Sequence, residues 1–352
     1  MKIKLFAAAA AALVSAGAFA QSSVTMYGVV DAGVEWVNKA PGNGGSRTAM
    51  QSGNLSGSRW GLRGVEDLGG GLKGIFNLES GFTIDDGRSG QDGRLFGRNA
   101  YVGLQGQWGQ LTLGRQQNLM FDFALNYDPM AIANRYSLAS QDAALAGRAD
   151  NAVKYVGTFS GVRTSALYST RSDGQEVAGN NKVGREWSLG LDYASGPYSV
   201  GVVYDRTNGN TAELADIKIQ RAMLGGTYAY GPAKLYAGYR WAHATGLGLD
   251  SARSNLYWLG VGYQATPALT LTGTAYYQNF KAEGAGNPWL FVVSSDYALS
   301  KRTDAYLNLA YAKNSSNAAL PLGVAGFGDV FTSADGSTNN QLGAVVGIRH
   351  KF

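Results

Sequence analysis

The chain has 352 residues, with 30 Lys and Arg against 25 Asp and Glu and no cysteine. Charged residues make up 16% of it, below the ~25% usual in soluble domains, whereas aromatics reach 11% with 20 tyrosines. These totals exclude a disulfide scaffold, and the charge is too evenly balanced for a nucleic-acid binder.

Met1 to Lys4 carries two lysines, Leu5 to Val14 is an apolar run, and Ala18-Phe19-Ala20 is a small-x-small cleavage pattern before Gln21. Residues 1–20 therefore read as an export signal, too short to span a bilayer. Without Lys2 and Lys4, 28 basic side chains face 25 acidic ones, a charge near +3. No later window approaches 18 consecutive apolar residues, so export leads to no transmembrane helix. Residues 21–352 show no linker, composition step or charge block and read as one domain.

From Val24 onward the signal is alternation with a period of two, in which successive side chains point to opposite faces of a strand. Val24, Met26, Val30, Val34 and Trp36 share one parity, and Tyr27, Asp31 and Glu35 share the other. Trp60, Leu62 and Gly64 alternate with Arg59, Gly61 and Arg63. Leu72, Phe76, Leu78 and Phe82 stand opposite Lys73, Asn77 and Glu79. Val102 and Leu104 then alternate with Tyr101 and Gln105, and Leu189 and Leu191 with Ser188 and Asp192. Leu269 and Leu271 alternate with Thr270 and Thr272, and Val346 and Ile348 with Arg349 and Lys351.

About sixteen such segments start near residues 24, 57, 72, 99, 110, 151, 162, 185, 197, 217, 233, 254, 268, 289, 303 and 341. Their connections alternate in length. Short ones include Asp67–Gly71, Gln107–Gly109, Ser195–Pro197 and Ser300–Arg302; long ones include Asn38–Leu55, Asp85–Arg98, Gln117–Asp150 and Asn314–Asn340. Short turns on one rim and long loops on the other are the layout of an outer-membrane barrel. Tyrosines and tryptophans fall near strand ends, mostly on the apolar parity, as interfacial girdles would. In hydrocarbon every unpaired backbone group costs several kcal/mol, so a sheet placed there must close. The expected fold is an all-β, 16-stranded antiparallel transmembrane β-barrel with short periplasmic turns and long extracellular loops.

The motifs carry a family resemblance. Met26-Tyr27-Gly28 with Asp31, the hairpin SRWGLRGVEDLGGGLKGIFNLESGF (Ser58–Phe82), GRNAYVGL (Gly97–Leu104), LTLGRQ (Leu111–Gln116), DYALSKRT (Asp296–Thr303) and the terminal GIRHKF (Gly347–Phe352) together resemble the beta-proteobacterial general porins. The resemblance implies a sixteen-stranded barrel in a homotrimer in the Gram-negative outer membrane, amid lipid and lipopolysaccharide. It also implies a third long loop, residues 117–150, folded into the lumen. Phe352 would be the signal read by the barrel-assembly machinery.

A barrel this wide cannot fill its interior with side chains, so an aqueous channel remains. Arg59, Arg63, Lys73 and Lys154 take the inward parity as a basic wall, to which the resemblance adds Arg98 and Arg148. The 34-residue segment Gln117–Asp150 carries Asp122, Asp128 and Asp142, and its Phe121, Phe123, Tyr127 and Tyr136 argue for packing inside. The expectation is a basic wall facing acidic loop residues across a constriction that passes ions and small hydrophilic solutes, with mild anion preference. No cofactor is expected, the loop carboxylates being the candidate calcium site. Two alternatives stand beside it. One is a substrate-specific channel. The other is an outer-membrane hydrolase built around His243, with Asp250 and Ser251 following.

Overall fold

The computed structural model describes residues 23–40, 45–246, 252–281, 287–313 and 340–352. The leader at 1–20, Asp250, Ser251 and most of the 314–340 connection lie outside them. The strands are β1 (Ser23–Val37), β2 (Arg47–Ser52), β3 (Arg59–Gly69), β4 (Leu72–Gly81), β5 (Asn99–Gly106), β6 (Gly109–Gln117), β7 (Arg148–Phe159), β8 (Val162–Ser169) and β9 (Glu186–Ser195). They continue as β10 (Tyr198–Asn208), β11 (Lys218–Tyr230), β12 (Ala233–Thr245), β13 (Arg253–Gln264), β14 (Leu269–Phe280), β15 (Trp289–Ala298), β16 (Thr303–Lys313) and β17 (Gln341–Lys351). From β3 to β17 each pairs antiparallel with the next, and β17 returns to β1 from Val29↔Lys351 to Val37↔Gly343. Among the described residues the ring leaves no open edge, which is what the hydrocarbon demands.

Seventeen segments make sixteen staves, because β2 and β3 share one position. β3 covers Ser23–Val29 of β1, and β2 covers Ala32–Val37. The residues between them fold inward around Asp31. Its carboxylate accepts from the backbone N–H groups of Leu55 (2.8 Å) and Ser56 (2.7 Å), and its carbonyl accepts from Gly53 N (2.7 Å). Gly53 takes φ +70°, a backbone that favours glycine. β2 lies within Asn38–Leu55, where a long loop is expected from the sequence. β2 is too short, with Met50 as its one large apolar residue, for alternation to reveal it.

The sheet inverts the burial order of a soluble protein. Val102 (60%) and Leu259 (65%) are exposed, whereas Asn308 (0%) and Gln278 (1%) are enclosed by the barrel. Aromatics ring both ends. Trp187–Tyr193, Tyr198–Tyr204, Tyr257–Tyr263 and Phe291–Tyr297 each place two outward aromatics six residues apart. That spacing is about 20 Å along a strand, suited to an apolar band of ~25 Å between girdles. At one end Tyr239, Tyr257, Tyr277, Trp289 and Phe291 follow one another at centroid distances of 4.5 to 6.1 Å.

The segment between β6 and β7 lies inside. Asn118 caps helix α1 (Leu119–Tyr127) by accepting from Phe121 N at 2.9 Å. Leu119, Met120, Phe123 and Ala124 of α1 are buried, as are Val203, Met223, Leu256 and Trp258 on β10, β11 and β13. The oily contact inside the barrel is therefore one-sided, between loop and far wall. Glycines on that wall make room for it. A Cβ on Gly225 would come within 2.9 Å of Phe123 and Tyr127, and one on Gly260 within 2.5 Å of Pro129. Carbon contacts prefer ~3.5–4.0 Å, so Gly225→Val should push α1 ~1 Å or more into the passage. The expected result is lower single-channel conductance with an unchanged folded-barrel band on a gel run without heating.

Candidate functional site

The lumen narrows between two cavities of about 310 and 390 Å3, both of which reach Glu79 and Gln117. The first opens toward the long loops and is bounded by Arg59, Arg98 and Arg148, with Phe121, Leu125 and Ile132 of the inserted segment. The second opens toward the short turns, where Tyr27, Tyr101, Asp122, Lys154 and Arg163 line it.

Glu79 organises the narrows. Arg98 Nε donates to Glu79 Oε1 at 2.7 Å, Arg59 Nε lies 3.7 Å from Oε2, and Tyr27 Oη donates to Oε2 at 2.9 Å. Register explains the convergence: Arg59 pairs with Gly81 across β3–β4, and Glu79 with Asn99 across β4–β5, next to Arg98. Arg148 Nε donates to the carbonyl of Arg98 at 3.1 Å, and its guanidinium lies 5.4 Å from the centre of the Phe121 ring. Among the described residues, Arg148 has no carboxylate partner within salt-bridge distance. Three guanidiniums around one carboxylate leave a local excess of two positive charges.

The other inward bases lie elsewhere. Arg63 stands over Tyr27, 5.3 Å from its ring centre, on the short-turn side. Lys73 is exposed beside the Gly70-Gly71 turn, at the rim rather than at the constriction expected from its parity. Parity fixes the face but not the height along a strand. Lys154 Nζ pairs with Asp122 at 2.7 Å and donates to the Gln117 carbonyl at 2.9 Å. Asp122 also meets Arg163, which reaches Asp192 at 3.0 Å.

Of the three loop acids expected opposite the basic wall, Asp122 lies in the passage against Lys154, whereas Asp128 and Asp142 do not face it. Asp128 is enclosed: it accepts from the backbone N–H groups of Met130 (3.2 Å), Ile132 (2.9 Å) and Leu138 (3.2 Å), and from Tyr276 Oη on β14. Asp142 faces away too, pairing with Arg221 Nε at 3.1 Å and Arg240 Nε at 3.4 Å. Both carboxylates fasten the segment to the far wall. A short acidic side chain on a packed loop meets donors on that wall before it reaches water, and burial makes leaving them costly. The clamp is extended by Trp258 Nε1 donating to the Tyr127 carbonyl at 2.8 Å and by Tyr136 Oη donating to Glu35 at 2.8 Å. Asp122 and Asp142 thus have basic partners, and among the described residues no three acids or histidines converge as a metal site would require. His243 takes the outward parity beside Trp241, at 5.7 Å between rings, and His350 Nδ1 meets Thr303 Oγ1 at 2.9 Å.

The clamp has a definite pH sign. Burial pushes the Asp142 carboxyl up, but Arg221 and Arg240 outweigh it and hold it below its ordinary range. A depressed folded value means that its stabilisation is complete above the unfolded pKa and is lost as pH falls through the depressed one. Asp128 has the opposite sign. Burial raises it despite Tyr276 and the backbone donors, so acidification through its range favours the docked state. Conductance steps should therefore stay uniform through the ordinary carboxylate range near pH ~4 and become unstable only below it.

Glu79, Arg163, Arg221 and Arg240 were not picked out from the sequence. Their signal was inward parity: Glu79 alternates with Leu78, and Arg240 with Tyr239 and Trp241.

A family model described as Gram-negative porin matches residues 7–317. An outer membrane porin protein of Bordetella pertussis is 31% identical, with 100% of both chains covered. One from Delftia acidovorans is 33% identical, again over 100% of both. The solved anion-selective porin from Comamonas acidovorans superposes with a TM-score of 0.83 at 29% identity, covering 94% of this chain and 100% of that one.

Proposed function

This chain belongs to the Gram-negative porin family, and from that premise we propose that the Arg59–Arg98–Arg148 cluster gives its channel a mild preference for anions. The protein is an outer-membrane β-barrel that passes ions and small hydrophilic solutes by diffusion. It is a channel rather than an enzyme. The observation that carries the preference is the charge imbalance at the narrows, where Glu79 is the single carboxylate among three guanidiniums. Fixed charge in a confined aqueous path raises the local concentration of the opposite ion. The charges of Asp122 and Asp142 are spent on Lys154, Arg163, Arg221 and Arg240, and Asp128 is enclosed away from the passage, so the loop acids offset the cluster little. The anion selectivity of the Comamonas protein agrees with this reading.

Assembly as a homotrimer fits the small outward residues Ala32 and Gly74 on β1 and β4, which permit close approach between barrels, whereas the neighbouring Gly28 and Gly64 are covered by the rings of Phe352 and Phe76. Phe352 ends the closing strand: its N–H and carbonyl pair with Gly28 at 3.1 Å each, and its ring sits over that glycine. An exposed terminal ring at the seam is what an assembly factor would read.

A planar-bilayer recording of the refolded protein in a potassium chloride gradient tests the selectivity. A zero-current potential of the anion-permeable sign is expected; a cation-permeable sign would reject the proposal.

A further inference from the structure

We propose that the outward face of β10 to β14, at its long-loop end, docks the phosphates of a phosphorylated glycolipid in the outer leaflet of the membrane. This surface lies on the outside of the barrel and does not involve the lumen or its arginines.

Strand register lays out the surface. On the outward face Trp187, Arg206, Gln220, His243 and Arg253 follow one another across β9 to β13. Lys281 comes next, its backbone N–H donating to the Arg253 carbonyl at 2.9 Å, and Lys218 stands one outward position beyond Gln220. Strands lie ~4.8 Å apart, so Arg206, Lys218, Arg253 and Lys281 spread over about 19 Å. The carboxylates of these strands, Glu186, Asp192 and Asp205, all take the inward parity. Among the described residues none of the four bases enters an ion pair, and Arg206 Nε has no hydrogen-bond partner. The loop acid Asp216, two residues before Lys218, is held by Lys182 at 2.9 Å.

Height along the strands identifies the partner. Tyr204 and Trp241 are the next outward residues below Arg206 and His243, ~7 Å nearer the apolar band. Aromatic girdles mark the boundary between hydrocarbon and water. The bases therefore stand where lipid headgroups carry their phosphates, in the leaflet that meets the long loops. One phosphate cannot reach bases spread from β10 to the end of β14, but a headgroup with more than one can. Gln220 and His243, in the same row, suit its hydroxyl groups. On β1 and β2 the outward positions at this end are Trp36, Thr48 and Met50, without a base. The basic arc thus lies across the ring from the small residues of β1 and β4, on the side that a trimer leaves to lipid.

The test is native mass spectrometry of the refolded protein in a nonionic detergent, titrated with diphosphoryl lipid A or with phosphatidylethanolamine. Diphosphoryl lipid A is expected to bind at least tenfold more tightly than phosphatidylethanolamine. Each base beside an anionic lipid surface is worth about fivefold in affinity. Lys218→Gln combined with Arg253→Gln should therefore weaken lipid A binding roughly twentyfold. The charge-matched control, Lys301→Gln combined with Arg302→Gln on a short turn, should leave it unchanged. Only protein that keeps its folded band on a gel run without heating is titrated, so a misfolded variant cannot imitate the loss. Equal affinity for the two lipids, or an unaltered affinity in the Lys218 and Arg253 variant, would overturn the docking surface. An equal loss in the control would overturn it too, by tracing the binding to net charge.

Discussion

Replacing Arg98 and Arg148 together by alanine is expected to lower the anion-over-cation permeability ratio by on the order of tenfold. A unit charge ~6 Å from a passing ion contributes about 0.7 kcal/mol in water. Removing two acts with opposite sign on anion and cation, and screening over ~10 Å at 0.1 M salt roughly halves the effect. Glu79 then keeps Arg59, Asn99 and Tyr27 as partners, so β4 and β5 stay in register. The opposite control is Glu79→Gln, which removes the negative member and should raise anion preference. Zero-current potentials in a tenfold gradient read both variants, and the difference should shrink as salt rises. A double variant with unaltered ion preference would place the selectivity elsewhere in the lumen.

Asp128→Ala should release the inserted segment while leaving the barrel closed. Its carboxylate satisfies three backbone N–H groups and the Tyr276 hydroxyl inside a dry contact. Each buried donor left unmade costs ~1–3 kcal/mol, so the local loss is several kcal/mol. The barrel does not depend on that clamp, since its strands are paired around the whole ring. The expected outcome is larger, noisier single-channel conductance and little change in the temperature at which the folded band disappears on a gel. Asp142→Asn should act in the same direction but more weakly, because Tyr276, Trp258 and Glu35 still hold the segment. Asp122→Asn should not release it, since that side chain lies on the passage side with Lys154 and Arg163. A quiet channel of unchanged conductance in Asp128→Ala would show that apolar packing alone positions α1.

The two effects meet in the arginine cluster. α1 holds Phe121 under Arg148, so a loosened segment also frees that guanidinium. Asp128→Ala should therefore weaken anion preference as it widens the pore, as a channel of smooth bore would.

The sequence by itself determined the barrel. Two-residue alternation over some sixteen segments leaves a single arrangement in which oily side chains meet lipid and every backbone group is paired. The expected strand starts fall within three residues of β1 and of β3 to β17. Inward parity alone put Arg59 and Lys154 on the lumen wall. Height and partnership were decided only by the tertiary structure, because both depend on stagger between strands and on a loop whose path no period encodes. Lys73 therefore sits at the rim and β2 replaced an expected loop. Asp128 and Asp142, expected to face the arginines, instead bind the far wall, where Tyr276, Arg221 and Arg240 come from strands remote in sequence. A buried carboxylate goes where donors compensate its lost water, and only the folded chain brings those donors together.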